Sequence, residues 1–477
     1  MCGIIGIIGD KPVSRLIYHG LFAIQHRGQS SAGKLTYDGN IHITKDSGLV
    51  RDVFSDEKKI ETPGNVGIGH TRYSTAGMDD IESLKRNAQP EYVVNPFLAA
   101  THNGNIYNFS ELRKKTNRIP RTDCDIQWPL LLMADMLYKK DLTVDIIYDS
   151  CERLMQDLKG SYSILFLTDS GNNPFLFAMT DPRKIRPLVL GKSNGMYCLT
   201  SETRVLKKIN FEYIKDIPGG SIIVIDKNGG IYEKQVVKKQ ELPCMFEYVY
   251  FAKPDSRING RSVHRTRDDI GRMLAKEQPA DADIVVPVPE SGRRYALGFS
   301  RESNIPIDEG IMKDKDERSF IQQTQESRDK VVSEGLSFIR SVLEGKRVVL
   351  LDDSIVRGTN IRKILKAMKN AGAKEIHVRI GCPPLIAPCY LGIDMRSKKE
   401  FIARNENGEI KSVKQIAKEI GADSLGYISV EGLKKAIRSE TCKGCIEFPD
   451  GYPAEMRDDV KQLFRKDKKG SRPYEDI

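Results

Sequence analysis

Met1 is followed by the small residues Cys2 and Gly3, so routine removal of the initiator methionine would leave Cys2 with a free α-amino group. One residue would then carry both a nucleophile and a base. An α-amine titrates at about 8, close enough to neutral to accept the thiol proton directly or through water, and a thiolate is the strongest common side-chain nucleophile. Position alone also allows a plainer reading, in which Cys2 is a small apolar residue opening a strand. A second stretch with chemistry in it is VVLLDDSIVRGTN, residues 348–360. Four apolar residues lead to two adjacent acids and then to Ser, Gly and Thr at the start of a helix. Backbone N–H groups at such a turn, backed by the positive helix end, can hold a phosphate. Asp352 and Asp353 would repel it and suit ribose hydroxyls or a hard cation such as Mg²⁺. A generic strand–turn–helix with a capping Asp has the same outline. A third is Cys442-Lys443-Gly444-Cys445, a CxxC that by itself leaves zinc, a redox pair and chance open.

The elements that must position these residues fall into two rhythms. Up to about Val237, short apolar runs (CGIIGII, VGIGH, FLAATHNG, YSILFL, PFLFAM, SIIVID) alternate with Gly, Asn and Asp turns. These read as strands of an antiparallel-rich sheet. Helical spacing is predicted over 13–25, 125–139 and 143–158, giving an α+β layered domain. Residues 233–242, ended by Pro243, read as a linker or edge segment. Beyond it the pattern predicts a helix over 263–277, a strand at ADIVVPVP, a helix from Gly292, a long helix over 328–343, a strand at RVVLLD, a helix over 359–371 and a strand at EIHVRIGC. Continuous apolar strands alternating with helices imply an α/β domain with a parallel sheet. In the helix over 359–371, Ile361, Ile364, Leu365 and Met368 make the core face and leave Arg362, Lys363, Lys366 and Lys369 outside. The basic stretch from Lys461 onward reads as a mobile tail.

Composition sets the outer limits. A length of 477 residues predicts about two to four domains. With 39% hydrophobic and 29% charged residues the chain can fill a core in each, which excludes disordered and fibrous classes. No apolar run approaches the roughly 20 residues that span a bilayer, and the first, over 2–8, is too short for a signal core and lacks a basic leader. A cytoplasmic protein without a membrane partner is expected. The formal charge of +10 is spread along the chain and suits a surface more than a polyanion site. With one Trp and no cluster of Arg with aromatics, no nucleic-acid partner is expected. Nine cysteines are too few for a disulfide scaffold, and their odd number leaves one without a partner.

The opening MCGIIG, followed in order by HRGQ (26–29), GHTRYSTAG (69–77) and HNGN (102–105), resembles the class II, N-terminal-nucleophile glutamine amidotransferases over the first 240 residues or so. That resemblance implies a four-layer αββα sandwich and a Cys2 that attacks the side-chain amide of glutamine, giving a thioester and ammonia. It assigns Asn103 and the N–H of Gly104 as oxyanion donors, Arg72 to the α-carboxylate of glutamine, and Asp123 to its α-ammonium. Ser30 and Lys184 depart from the usual pattern at positions the thioester chemistry does not use. Residues 348–360 resemble the type I phosphoribosyltransferase signature. By that resemblance Asp352 and Asp353 bind the ribose diol and share one Mg²⁺ with Ser291, while Ser354, Val356, Arg357, Gly358 and Thr359 wrap the 5-phosphate of phosphoribosyl pyrophosphate. Glu290, Ser291 and Gly292, in PVPESG, match its pyrophosphate loop. Residues 312–325 lie where that family has a closing flap, one residue shorter here and more acidic.

A glutaminase followed by a phosphoribosyltransferase, joined by CMFEYVYFAKPDS (244–256), is similar to the amidophosphoribosyltransferases over essentially the whole chain. The expected boundaries are 1–237 for the glutaminase, 238–460 for the phosphoribosyltransferase with its C-terminal segment, and 461–477 for the basic tail. The resemblance implies that ammonia from glutamine displaces pyrophosphate to give 5-phosphoribosylamine for purine synthesis. It also implies a homotetramer inhibited by purine nucleotides. Cys244, Cys389, Cys442 and Cys445 match the ligands of the iron–sulfur branch and imply one [4Fe-4S] cluster, with tetrahedral Zn²⁺ as the rival. Members of that branch often carry a propeptide, whereas here the sequence starts at Met-Cys. Cys124, Cys151, Cys198 and Cys382 are expected to be plain buried thiols.

Overall fold

The strand Gly3–Ile8 lies between Met196–Thr200 and Val66–Arg72, antiparallel to both. It is the fourth strand of a seven-stranded sheet whose order is Glu212–Asp216, Val189–Ser193, Met196–Thr200, Gly3–Ile8, Val66–Arg72, Ser31–Tyr37, Ile41–Ser47. The computed structural model describes residues 1–73, 80–171, 173–313, 335–395 and 397–466. A second antiparallel sheet runs Ile231–Gln235, Ser221–Asp226, Pro174–Thr180, Gly160–Asp169, Phe97–Ile106, Glu91–Val94.

Alternation along these strands builds the layers. Ile4 and Ile8 point into the space between the sheets, where they meet Leu165, Leu167 and Leu176. Ile5 and Ile7 point the other way, to Ile17 and Leu21 of the helix Ser14–Ala23. Ile164 and Phe166 of the second sheet likewise face Leu130 and Leu154 of the helices Gln127–Leu137 and Val144–Asp157. Each inner strand is therefore covered on both faces, which is why it reads as a continuous apolar run. The result is the expected αββα sandwich. Residues 233–242 divide: Ile231–Gln235 is an edge strand paired with Ser221–Asp226, and the stretch after it joins no sheet.

The second half holds a four-stranded parallel sheet, ordered Ile284–Pro287, Arg347–Asp352, Glu375–Ile380, Ser424–Tyr427. The helices Val263–Glu277 and Arg293–Ser303 cross closely, because a Cβ on Gly271 would sit 2.0 Å from the Tyr295 carbonyl oxygen and one on Gly298 2.0 Å from that of Asp268. Ile361, Ile364, Leu365 and Met368 are buried on the helix Thr359–Asn370, as its spacing predicts.

Three expectations need correction. The predicted long helix over 328–343 is not continuous. Leu336–Phe338 forms a strand paired with Ile311–Lys313, and among the described residues of that stretch Arg340–Leu343 is helical; cross-strand pairing there overrides the helical spacing. The expected tail boundary at 460 falls inside the helix Arg457–Lys466, where Val460 is buried and Phe464 stacks 4.4 Å from Phe448. The fourth strand and its flanking helices Val413–Ile420 and Val430–Ile437 were not anticipated, although Ser412 and Gln415 form a capping box. Most of the expected flap, from residue 314 on, lies outside the described residues, as does most of the basic tail.

Candidate active site

Cys2 is buried at the head of its strand, and its backbone N–H donates to Asn103 Oδ1 at 3.2 Å. Asn103 and Gly104 lie on the strand Phe97–Ile106, which is bonded to Gly160–Asp169. The other end of the Asn103 amide, Nδ2, is buried and has no partner among the described residues. Gly104 cannot be another residue, since a Cβ there would stand 2.0 Å from the Ser161 carbonyl oxygen. A buried N–H donor on the side chain that meets the Cys2 backbone is the kind of group a tetrahedral oxyanion needs. The amine of Met1, one residue upstream, is lowered to about 6, first by burial.

Arg72 ends the strand Val66–Arg72 and is 3% exposed. Asp123 is on the surface, paired with Arg86 at 2.8 Å. Two positions further on, Asp125 is buried, and its Oδ2 bonds His102 Nε2 at 3.0 Å and accepts from Ile106 N at 3.1 Å. Burial alone would lower His102, but the Asp125 carboxylate outweighs it and raises the imidazole above its ordinary value. Gln89 Oε1 accepts from His102 N at 2.9 Å. This buried set braces the strand that carries Asn103 and Gly104, and sequence reading missed it. The spacing T-D-C-D, with one acid exposed and one inward, held the signal.

The second site forms where the strand Arg347–Asp352 ends. Ser291 Oγ donates to Asp352 Oδ1 at 3.0 Å, Asp353 N donates to the same oxygen at 2.9 Å, and Ser354 Oγ donates to Asp353 Oδ1 at 2.5 Å. Burial, and then the charge of Asp353, push the Asp352 carboxyl well above its ordinary value; burial raises Asp353 too. Two buried carboxylates that resist ionising together form a pair that a divalent cation would relieve. Gly358, at φ +75°, turns the chain into the helix Thr359–Asn370. Its glycine is required by that left-handed backbone. Val356 N–H and C=O lie in the same turn, where the Val356 carbonyl accepts from Ile402 N at 2.8 Å. Arg357 reaches outward to Glu400 at 2.7 Å. Gly292 packs its Cα against the strand end, where a Cβ would stand 2.2 Å from the Leu351 carbonyl oxygen. Glu290 faces solvent beside Arg293.

Cys244, Cys389, Cys442 and Cys445 line one small cavity, together with Arg186, Leu391 and Tyr452. The first and third are held by a short bridge in which Met245 N donates to the Cys442 carbonyl at 3.2 Å and Cys442 N to the Pro243 carbonyl at 3.0 Å. Among the described residues no three His, Cys, Asp or Glu side chains are drawn together tightly enough for a single metal ion. The other thiols, Cys124, Cys151, Cys198 and Cys382, are buried, as expected, and none of them lines this cavity.

Comparison with known proteins matches residues 72–208 to a glutamine amidotransferase domain and 264–382 to a phosphoribosyl transferase domain. The amidophosphoribosyltransferase of Methanocaldococcus jannaschii is 43% identical over 96% of this chain and 98% of its own length, and that of Methanothermobacter thermautotrophicus 42% over 97% and 96%. The chain belongs to the amidophosphoribosyltransferases. A solved glutamine phosphoribosylpyrophosphate amidotransferase from B. subtilis, in complex with ADP and GMP, superposes with a TM-score of 0.83 at 34% identity, covering 95% of this chain and 97% of that one. A structure described as the allosteric regulatory enzyme of purine biosynthesis gives 0.85 at 34%, covering 98% and 99%. Both halves of an amidophosphoribosyltransferase are thus present in the expected order. Among the described residues no helix is long and apolar enough to cross a membrane.

Proposed function

We propose that this chain makes 5-phosphoribosylamine from glutamine and phosphoribosyl pyrophosphate, the first committed step of purine synthesis. The observation that carries the reading is the bond from Cys2 N to Asn103 Oδ1, with the Nδ2 of the same amide buried and without a partner among the described residues. With Met1 removed, the Cys2 amine takes the thiol proton and the sulfur attacks the glutamine amide. Asn103 Nδ2 and Gly104 N–H hold the oxyanion as it forms. Arg72 offers a planar fork to the α-carboxylate, and Asp123, once it parts from Arg86, takes the α-ammonium. The released ammonia must reach the second site without meeting bulk water, where it would be protonated and lost.

At that site Ser354, Val356, Arg357, Gly358 and Thr359 cradle the 5-phosphate, the Asp pair orients the ribose diol, and Glu290, Ser291 and Gly292 border the pyrophosphate. Asp352, Asp353 and Ser291 would hold one Mg²⁺, a fit supported by the raised carboxyls of the pair. The ion would supply charge for the departing pyrophosphate.

Cys244, Cys389, Cys442 and Cys445 suit one [4Fe-4S] cluster. Four thiols from three separate stretches of chain converge on one small cavity, a donor set that a cluster would take, with tetrahedral Zn²⁺ as the rival. The cluster would tie the connecting segment to the C-terminal segment. A homotetramer, purine-nucleotide inhibition and a cytoplasmic location complete the reading.

The test is incubation with glutamine, Mg²⁺ and phosphoribosyl pyrophosphate, following glutamate and pyrophosphate. The wild type should release both. Glutamate still released by Cys2→Ser would sink the assignment of the nucleophile.

A further inference from the structure

Between the two sites lies a set of buried charges that takes no part in either reaction. Arg27, Glu202 and Glu247 are all fully buried. Arg27 Nε donates to the Cys2 carbonyl oxygen at 2.9 Å. Its Nη1 donates to Glu202 Oε1 at 2.7 Å and Glu247 Oε2 at 2.9 Å, and its Nη2 to Glu247 Oε1 at 2.6 Å. One guanidinium therefore clamps the nucleophile's own backbone, a turn of the sandwich and the segment joining the lobes. On its far side Glu202 Oε2 accepts from Ser256 Oγ at 2.8 Å and Lys253 N at 3.1 Å. Burial alone would raise Glu202, but His26, 2.8 Å away, and Arg27 hold it well below the usual carboxylate range.

Glu247 opens a single π-helical turn, Glu247–Phe251. The carbonyls of Tyr248 and Ala252, within and just after it, both accept from the Arg267 guanidinium at 2.8 Å. Tyr295 Oη, on the helix Arg293–Ser303, donates to the Val249 carbonyl of the same turn at 2.6 Å. Five residues thus touch the nucleophile's clamp at one end and are held by helices of the phosphoribosyl lobe at the other.

We infer that Glu247 is a positioning residue for the glutamine half-reaction, holding the Cys2 backbone through Arg27 and tying that hold to the phosphoribosyl lobe. The inference rests on the reading of Cys2 as nucleophile. Glu247 touches no reacting atom. Its two oxygens fix the guanidinium plane as only a bidentate pair can, and that plane sets the Cys2 carbonyl. A Gln at 247 keeps the shape but turns one acceptor into a donor facing Arg27, and leaves the buried cation one carboxylate short. Small displacements of a reacting group cost rate out of proportion to their size.

The experiment is Glu247→Gln in the full-length enzyme. The expected result is a fall of about tenfold or more in kcat for glutamate release, with the KM for glutamine unchanged and phosphoribosylamine formation from ammonium salts at the wild-type rate. A parallel fall of the glutamine and ammonium reactions, or wild-type glutamate release, overturns the inference. If the variant does not fold, Glu247→Asp decides instead, since it keeps the charge but draws the carboxylate back from the Arg27 guanidinium. It should show the same split between the glutamine and ammonium reactions; wild-type glutamate release refutes the inference. Failure of Cys2→Ser to abolish glutamate release strikes the nucleophile reading and is read separately.

Discussion

Cys2 N and Asn103 Oδ1 are joined by a 3.2 Å hydrogen bond across 101 positions of sequence. That bond fixes which way the Asn103 amide faces, and so leaves its Nδ2 as a buried donor with no acceptor among the described residues. A buried donor without a partner is costly in a resting enzyme and useful in one that develops negative charge beside it. Asn103→Ala should lower kcat for glutamate release roughly 10²–10³-fold and leave synthesis from ammonium salts intact. Steady-state assays with the two nitrogen donors check both halves of this expectation.

Gly104 is set by sterics. A methyl there meets the Ser161 carbonyl oxygen at 2.0 Å, and backbone cannot step aside as a side chain can. Gly104→Ala should destabilise the sandwich by about 1–3 kcal/mol and abolish glutamate release. Chemical denaturation, read alongside the assay, measures both.

The Asp352–Asp353 pair makes a prediction about pH. Both carboxyls titrate above their ordinary 3.8, so the folded state favours their protonated forms. Their contribution to stability is complete below the unfolded value and is lost as pH rises through the folded ones. The metal-free protein should therefore lose stability on going from about pH 4 toward neutrality on account of this pair. Asp352→Asn should raise the metal-free Tm at neutral pH and remove the upward Tm shift caused by Mg²⁺. Scanning calorimetry with and without the ion is the measurement; an Asp352→Asn protein still stabilised by Mg²⁺ contradicts the assigned site.

Anaerobic purification should yield a brown protein with iron and sulfide in equal amounts, and Cys442→Ser should lose both. Elemental analysis decides. Zinc in place of iron refutes the cluster.

Much of this was legible beforehand because the signals were local. The strand Arg347–Asp352 and the helix Val263–Glu277 fall where apolar spacing and caps place them, and Gly358 declares its turn by residue type. What was not legible depends on partners distant in sequence. The strand Leu336–Phe338 exists because Ile311–Lys313 lies beside it. Asp123 and Asp125 look alike in the sequence, and only the fold sends one to Arg86 on the surface and the other to His102 inside. The Arg27–Glu247 clamp spans 220 positions, and no spacing rule reaches that far.

Burial at the start of the chain also dictates an order of events. Met1 is 2% exposed in the folded molecule, and an aminopeptidase needs an extended, reachable end. Removal of the methionine must therefore come while the chain is still emerging, before Gly3–Ile8 closes between its neighbours. Maturation of the nucleophile is in this sense a race against folding, and molecules that fold first keep the methionine on Cys2.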